Sequence, residues 1–343
     1  MAAYTTIDNP ELYFQVKIWN GDGTAIGSGG QAITLDGSEN MQPDMVYVKR
    51  RNHTNAGQIH DAVRGATKFM PMDGSTDAEE TNTETLTAFN SDGFTVGNHN
   101  GVNNASGTYV AWCWKESADA GFDIVSYTGN NTVRTISHSL SAVPHWMAFM
   151  ERTEAGNRVV YHHKNTSAPE TDLLLWNTTA ATADDLSAWN DTAPTSSVFT
   201  LGDGDGGGDN NNNTITYVAY LWSEKQGYSK FGSYVGNGNA NGPFVHTGFR
   251  PAMVMIKKSS ASGSGWMIFD TKRNPGNDGA TLRIDAAQTV AESTDHILDN
   301  SLSNGFKIRD SDATLNTSGA TFIYMAFAEA PFVNSNGVPC NAR

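Results

Sequence analysis

The stretch LGDGDGGGDNNNN, Leu201 to Asn213, sets Asp203, Asp205 and Asp209 among glycines and a run of asparagines. Such an oxygen-rich loop has the makings of a Ca2+ site, because calcium is held by about six to eight carboxylate and carbonyl oxygens. The EF-hand pattern closes that set with a bidentate glutamate at its last position, where counting from Asp203 finds Thr214. A Ca2+ site built on Asp203, Asp205 and Asp209 therefore competes with a simpler reading, a polar hairpin tip rich in residues that tolerate tight turns.

Other residue types invite the same weighing. His162 and His163 are adjacent and should point to opposite faces of a strand, which argues against one shared ion. The segments HDAVRG and IFDTKR each place an aspartate three residues before an arginine, Asp61 with Arg64 and Asp270 with Arg273. A pair that occurs twice in one chain suits a structural ion pair better than a single active site. No GxSxG or P-loop motif is present, and no residue is assigned a catalytic role. Trp176 and Trp189 flank the segment TTAATADD, and aromatic faces beside polar side chains are the usual equipment for sugar binding. They are the expected glycan or receptor contacts. Cys113 lies in an apolar run and Cys340 near the end, which excludes a disulfide framework.

The elements that must position these residues recur along the chain. The runs Tyr109-Val-Ala-Trp-Cys-Trp, Tyr217-Val-Ala-Tyr-Leu-Trp and Tyr324-Met-Ala-Phe-Ala-Glu follow one another at a spacing of about 107 residues. Trp19-Asn-Gly, Tyr127-Thr-Gly and Tyr234-Val-Gly keep a similar period, as do proline-led runs at Pro43, Pro144 and Pro251 and the phenylalanines Phe94, Phe199 and Phe306. Within each copy, short segments rich in Val, Ile, Tyr, Trp and Thr alternate with Gly, Asn and Asp turns. The expected fold is all-β, three tandem antiparallel β-sandwich repeats of jelly-roll-like form. The expected boundaries are an arm at 1–10, repeats at 11–116, 120–224 and 227–329, and a tail at 330–343. YVAWCW is apolar throughout, as a strand covered on both faces would be. His60 aligns with Tyr161 and Phe269, an aromatic-like place near a strand end. The loops Gly97 to Gly107 and Arg309 to Gly319 align with the aspartate-rich stretch, and all three read as hairpin connections.

Composition limits the partners. A net charge of -14 opposes nucleic acid, whose phosphates require a concentrated basic surface. No run is long and apolar enough for a membrane-spanning helix, and the start lacks the pattern of a signal peptide, so synthesis in a cytoplasm without a membrane partner is expected.

The opening AYTTIDNPELYFQV, the strand PDMVYVKR, the segment HDAVRGATK, the turn SDGFTVG and the strand TYVAWCWKE together resemble the repeat domain of structural proteins of marine tailed phages, of the tail or tail-fibre kind. The resemblance is closest in the first copy and implies a non-enzymatic virion component that presents loops for host-surface attachment. It implies other virion proteins as partners, a homo-oligomer, and no cofactor beyond the Ca2+ considered above. One of the segments outside the repeat, Met1 to Glu11 or Pro331 to Arg343, is then the expected anchor. The alternative reading is a carbohydrate-binding module array for host envelope glycans, and the third a polysaccharide depolymerase.

Overall fold

The computed structural model describes residues 3–204, 210–275 and 279–340. Among them the chain is all-β and antiparallel, with three six-stranded sheets as its frame. The first runs in the order Phe14–Asn20, Thr108–Trp114, Met45–Arg50, Gly57–Asp61, Lys68–Met72, Glu80–Thr81. The second runs Phe122–Thr128, Thr216–Trp222, Trp146–Glu151, Arg158–His162, Asp172–Leu175, Ala183–Asp184. The third runs Ser229–Val235, Thr321–Pro331, Phe249–Lys258, Met267–Asp270, Thr281–Asp285, Ser293–His296. Each sheet thus pairs its first strand with the last one drawn from its stretch of chain.

Each large sheet carries a small one on its outer face. These are Gln31–Ile33, Gly93–Val96 and Leu86–Asn90; then Arg134–Ser137 with Val198–Leu201; then Phe244–His246, Gly305–Ile308 and Leu298–Leu302. The inner faces of the three large sheets meet each other instead of water. Because successive strand residues alternate in direction, one strand serves both layers. In Thr108–Trp114 the residues Val110, Trp112 and Trp114 enter the shared centre, while Tyr109, Ala111 and Cys113 face the small sheet. In Met45–Arg50 the same split separates Met45 and Tyr47 from Val46 and Val48. This is why these runs look apolar without alternation.

At one end of the shared centre Trp114 lies 6.1 Å from Trp222 and 5.7 Å from Phe327, one ring from each sheet. Near the other end Tyr47 of the first sheet donates a hydrogen bond to the carbonyl of Ala286 of the third. The sheets also join at their edges. The N–H of Glu79 donates to the carbonyl of Arg152 at 3.0 Å, Thr182 to Ser259 at 2.9 Å, and Glu292 to Arg51 at 2.8 Å. Each bond runs from beside the outermost strand of one sheet to the next sheet, first to second, second to third and third back to first.

The strand register corrects one alignment. Trp19 pairs with Tyr109 and Tyr127 with Tyr217, whereas Tyr234 pairs with Phe322, not Tyr324. The stacked rings agree, with centroids 5.3, 5.1 and 5.0 Å apart in the three pairs. Phe322 therefore holds the framework position, and Tyr324 stands where the other two sheets have Ala111 and Ala219.

Truncating a ring at the meeting point of the sheets should weaken the whole molecule rather than one sheet. Trp222→Ala is expected to lower stability by about 3–5 kcal/mol. Thermal unfolding followed by near-UV circular dichroism should remain a single transition at a lower midpoint.

Candidate functional site

The residues singled out for chemistry gather at the seams between large sheets. At the seam of the first and second sheets Asp61 closes the strand Gly57–Asp61, and Arg64 follows on the turn. Both side chains are fully buried and form an ion pair. Tyr220 of the second sheet donates its hydroxyl hydrogen bond to Asp61 at 2.6 Å, and Arg64 donates to the Tyr220 oxygen at 3.2 Å. Glu79 completes the set, taking Arg64 on one side and Arg152 of the second sheet at 3.0 Å on the other. Its counterpart lies at the seam of the third and first sheets. There Asp270 and Arg273 pair at 2.6 Å, the Trp112 indole N–H donates to Asp270 at 3.2 Å, and Glu292 bridges Arg273 and Arg51. Against burial, the hydrogen bonds from Arg51 and the Arg273 charge hold the Glu292 carboxyl below its ordinary range. Every charge in these clusters is spent on holding sheets together, the expected role of a structural pair but across a seam rather than within a loop.

The seam of the second and third sheets is built differently. By register, His162 takes the place of Asp61 and Asp270, because Trp146 pairs with His162 as Met45 pairs with Asp61 and Met253 with Asp270. Met325 takes the place of Trp112 and Tyr220, through Met255 as Tyr47 and Ala148 face those residues. At these two positions the third sheet offers no hydroxyl or indole donor and the second no buried acid. Instead the Nε2 of His162 lies 3.2 Å from the Tyr324 carbonyl and that of His163 2.6 Å from the Phe231 carbonyl. A carbonyl only accepts, so both rings carry their proton on Nε2. Burial, then the neighbouring His163 charge, pushes His162 down to about 3, and burial pushes His163 down to about 4.

Beside these histidines a cleft of about 430 Å³ opens along the seam, lined by His145, His163, Lys164, Glu224, Lys230 and Tyr324 among others. The rings of His145 and His163 stand edge to face with centroids 4.4 Å apart. A smaller cavity of about 220 Å³ lies at the third and first seam between Arg250, Lys272, Glu11, Asp36 and Glu329. Its charges are largely matched, Arg250 with Glu329 at 3.2 Å and Lys272 with Asp36 at 2.9 Å.

The expected glycan contacts are elsewhere. Trp176 is 3% exposed and Trp189 1%, so neither presents a face to a ligand. Trp176 packs in the shared centre against Trp146 at 6.3 Å and Trp266 at 6.4 Å. The TTAATADD segment ends in a single helical turn, Leu186–Trp189, capped by Asp185, which swings Trp189 inward onto Phe149 at 5.1 Å. Its indole N–H donates to the Asp172 carbonyl at 2.9 Å. Composition flagged these rings, but an all-β core with a second, shared layer consumes more aromatic volume than three separate sandwiches would.

Of the aspartates in the opening stretch, Asp203 is exposed, while Asp205 and Asp209 lie outside the described residues. Among the described residues no group of three His, Cys, Asp or Glu side chains is arranged to hold a metal ion. The loop is also not a hairpin tip. Val198–Leu201 pairs with Arg134–Ser137 in the small sheet, whereas Thr216–Trp222 belongs to the large one, so the connection crosses between layers. The same holds for the connections that follow Gly93–Val96 and Gly305–Ile308. Each crossing carries a buried asparagine, Asn103, Asn211 or Asn316. Their side-chain oxygens accept from the backbone N–H groups of Asp22 and Gly23, of Asn130, and of Asn237. The clamped loops begin with Gly21, Gly129 and Gly236, where a Cβ would overlap the carbonyls of Asn104, Asn212 and Thr317. One asparagine of the four-residue run is therefore a clamp on the framework.

His60 is fully buried against the Phe69 ring at 5.8 Å, and burial lowers it to about 3. Cys113 is a buried thiol that burial pushes upward, and Cys340 is exposed. Sequence reasoning missed the buried amines Lys49 and Lys257, which face the shared centre and are lowered to about 8 by burial. They donate to the carbonyls of Asn55 and Ser264, at 2.9 and 2.5 Å, and only their lack of carboxylate partners nearby in sequence hinted at this. The ends of the chain are packed as well: Tyr4 donates to the Gly248 carbonyl at 2.7 Å, and Asp8 accepts from the Ser335 N–H at 2.7 Å.

A family model, described as Domain of unknown function (DUF7483), matches residues 9–331. The chain belongs to this family. No curated protein and no solved structure matches it. The DUF7483 match begins before the strand Phe14–Asn20 and ends at Pro331, so it takes in all three large sheets and the seams between them.

Removing one member of a buried charge cluster should leave its partner stranded. Asp61→Ala is expected to cost about 3–5 kcal/mol, read as a shift in the urea midpoint, because Arg64 loses its buried counter-ion. The histidine seam loses stability on acidification, as Glu292 with its lowered carboxyl does, but in a higher pH window. With folded pKa values near 3 and 4 against an ordinary value of about 6.5, the unfolded chain binds protons first. Their contribution is complete above pH ~6.5 and declines as pH falls from there toward 4. His162→Gln should flatten that part of the stability profile relative to the parent, and an unchanged slope would contradict the assignment.

Proposed function

We propose that the chain is a non-enzymatic structural component of a virion, of the tail or tail-fibre kind, whose body is three copies of one β-sandwich unit at about 11–116, 120–224 and 227–329. The observation that carries the reading is the use made of the reactive residue types. Asp61, Arg64 and Glu79, and again Asp270, Arg273 and Glu292, are committed to bridging sheets, which is what a load-transmitting body requires and not what an acid–base site can spare. The family resemblance in the strands and turns of the first copy supports a particle component. A net charge of -14 suits a soluble, densely displayed protein without nucleic-acid contact.

On this reading the loops between layers face outward for attachment to a host surface, other virion proteins are the partners, and copies assemble as a homo-oligomer. Ca2+ at Asp203, Asp205 and Asp209 has no support beyond composition. Glycan recognition through Trp176 and Trp189 is withdrawn, since both are core residues.

Labelled antibody against the protein, applied to purified particles and viewed by electron microscopy, is expected to decorate the tail or another surface of the particle. Its absence from purified particles by both microscopy and mass spectrometry would overturn the reading. Incubation with host envelope polysaccharide should release no shortened chains.

A further inference from the structure

The cleft at the seam of the second and third sheets differs in composition from the cavity beside Arg250, being lined by histidines and two lysines. Its lining carries Lys164 and Lys230 against one carboxylate, Glu224, and its histidines are neutral near pH 7 because burial lowers both His145 and His163. Glu224 pairs with Lys230. Lys164 is exposed and has no carboxylate partner among the described residues. A chain of net charge -14 thus keeps one lining with a single unmatched positive charge.

Two departures from the framework line this cleft. Tyr324 replaces the alanine found at positions 111 and 219, and Gly232 replaces Lys17 and Val125 on the neighbouring strand. The two residues face each other across the pair, and a Cβ on Gly232 would fall 2.5 Å from the Tyr324 hydroxyl oxygen. The glycine makes room for the ring to reach the seam. Tyr324 is 3% exposed and forms part of the cleft lining. A hydroxyl at a cleft wall can both give and receive a hydrogen bond with a ligand or water.

The imidazoles are fixed in complementary states. The Nδ1 of His145 accepts from the Glu224 N–H at 2.9 Å, which leaves Nε2–H as its donor. The Nε2–H of His163 is taken by the Phe231 carbonyl, which leaves Nδ1 as an acceptor. One donor ring and one acceptor ring suit hydroxyl groups, which both give and receive. The unmatched ammonium suits a carboxylate.

We propose that this cleft binds a carboxylated sugar, with its carboxylate at Lys164 and its ring hydroxyls among Tyr324, His145, His163 and Glu224. At about 430 Å³ the cleft falls within the size range of small-molecule sites, whereas the cavity beside Arg250, at about 220 Å³ and with its charges largely paired, falls below it. The inference goes beyond the structural role and holds or fails wherever the protein resides.

The test is calorimetric titration of the full chain with glucuronate and galacturonate, set against glucose, galactose and inorganic phosphate. The uronates are expected to bind, with the neutral sugars and phosphate each at least about tenfold weaker. Lys164→Ala should weaken uronate binding about tenfold and Tyr324→Phe severalfold, both with unchanged melting temperatures, since neither removed group is part of the packing. The proposal is overturned if the uronates do not bind, if phosphate or the neutral sugars bind as tightly, or if both variants retain the parent affinity.

Discussion

The structure depends on burying both faces of three sheets at once. A sheet in an ordinary sandwich hides one face and wets the other, but here the inner faces of all three large sheets form one apolar centre that holds rings from every stretch of the chain. The strands nearest the middle then carry large apolar side chains in both directions, and the shared centre even holds the indole N–H groups of Trp114, Trp146, Trp176 and Trp222 without a hydrogen-bond partner among the described residues. The aromatic surplus follows from this demand, as does the burial of Lys49 and Lys257, whose amines must find carbonyls because no water reaches them.

Polar chemistry is pushed to the seams, where it decides how the sheets are matched. Two seams use an acid, an arginine and a second acid against a tyrosine hydroxyl or an indole N–H. The remaining seam substitutes the whole set, with His162 opposite Met325 and carbonyls as the acceptors. Such buried pairs are weak sources of net stability but strong penalties on mismatch. Their contribution is to make each sheet fit only its proper neighbour. At the histidine seam, with neutral groups and a cleft beside it, that matching is loosened.

Much of this organisation was legible in the sequence. The recurrence of Trp19, Tyr127 and Tyr234 before glycine, and of Phe94, Phe199 and Phe306, located corresponding strands, because framework residues meet the same neighbours in each sheet. The run YVAWCW announced a strand covered on both sides, though not that its second cover was two other sheets. Contacts between sheets leave no local periodicity, so the pairing of Asp61 with Tyr220 across 159 residues could not be read. In the third sheet the sequence alignment is off by two residues because Tyr324 imitates the tyrosine found at 109 and 217, and the slip hides the facing pair of Tyr324 and Gly232 that lines the cleft. Trp176 and Trp189 were misjudged because abundance of an aromatic type says nothing about which layer receives it.

The bonds from Glu79, Thr182 and Glu292 each pass from one sheet to the next in the same sense, and the last returns to the first. A head-to-tail contact of this kind either propagates without limit or closes, according to its rotation. Here it closes after three steps, so every sheet has a neighbour at both seams and none is left with an open end. The loops away from the seams are not bound by that closure and are free to diverge.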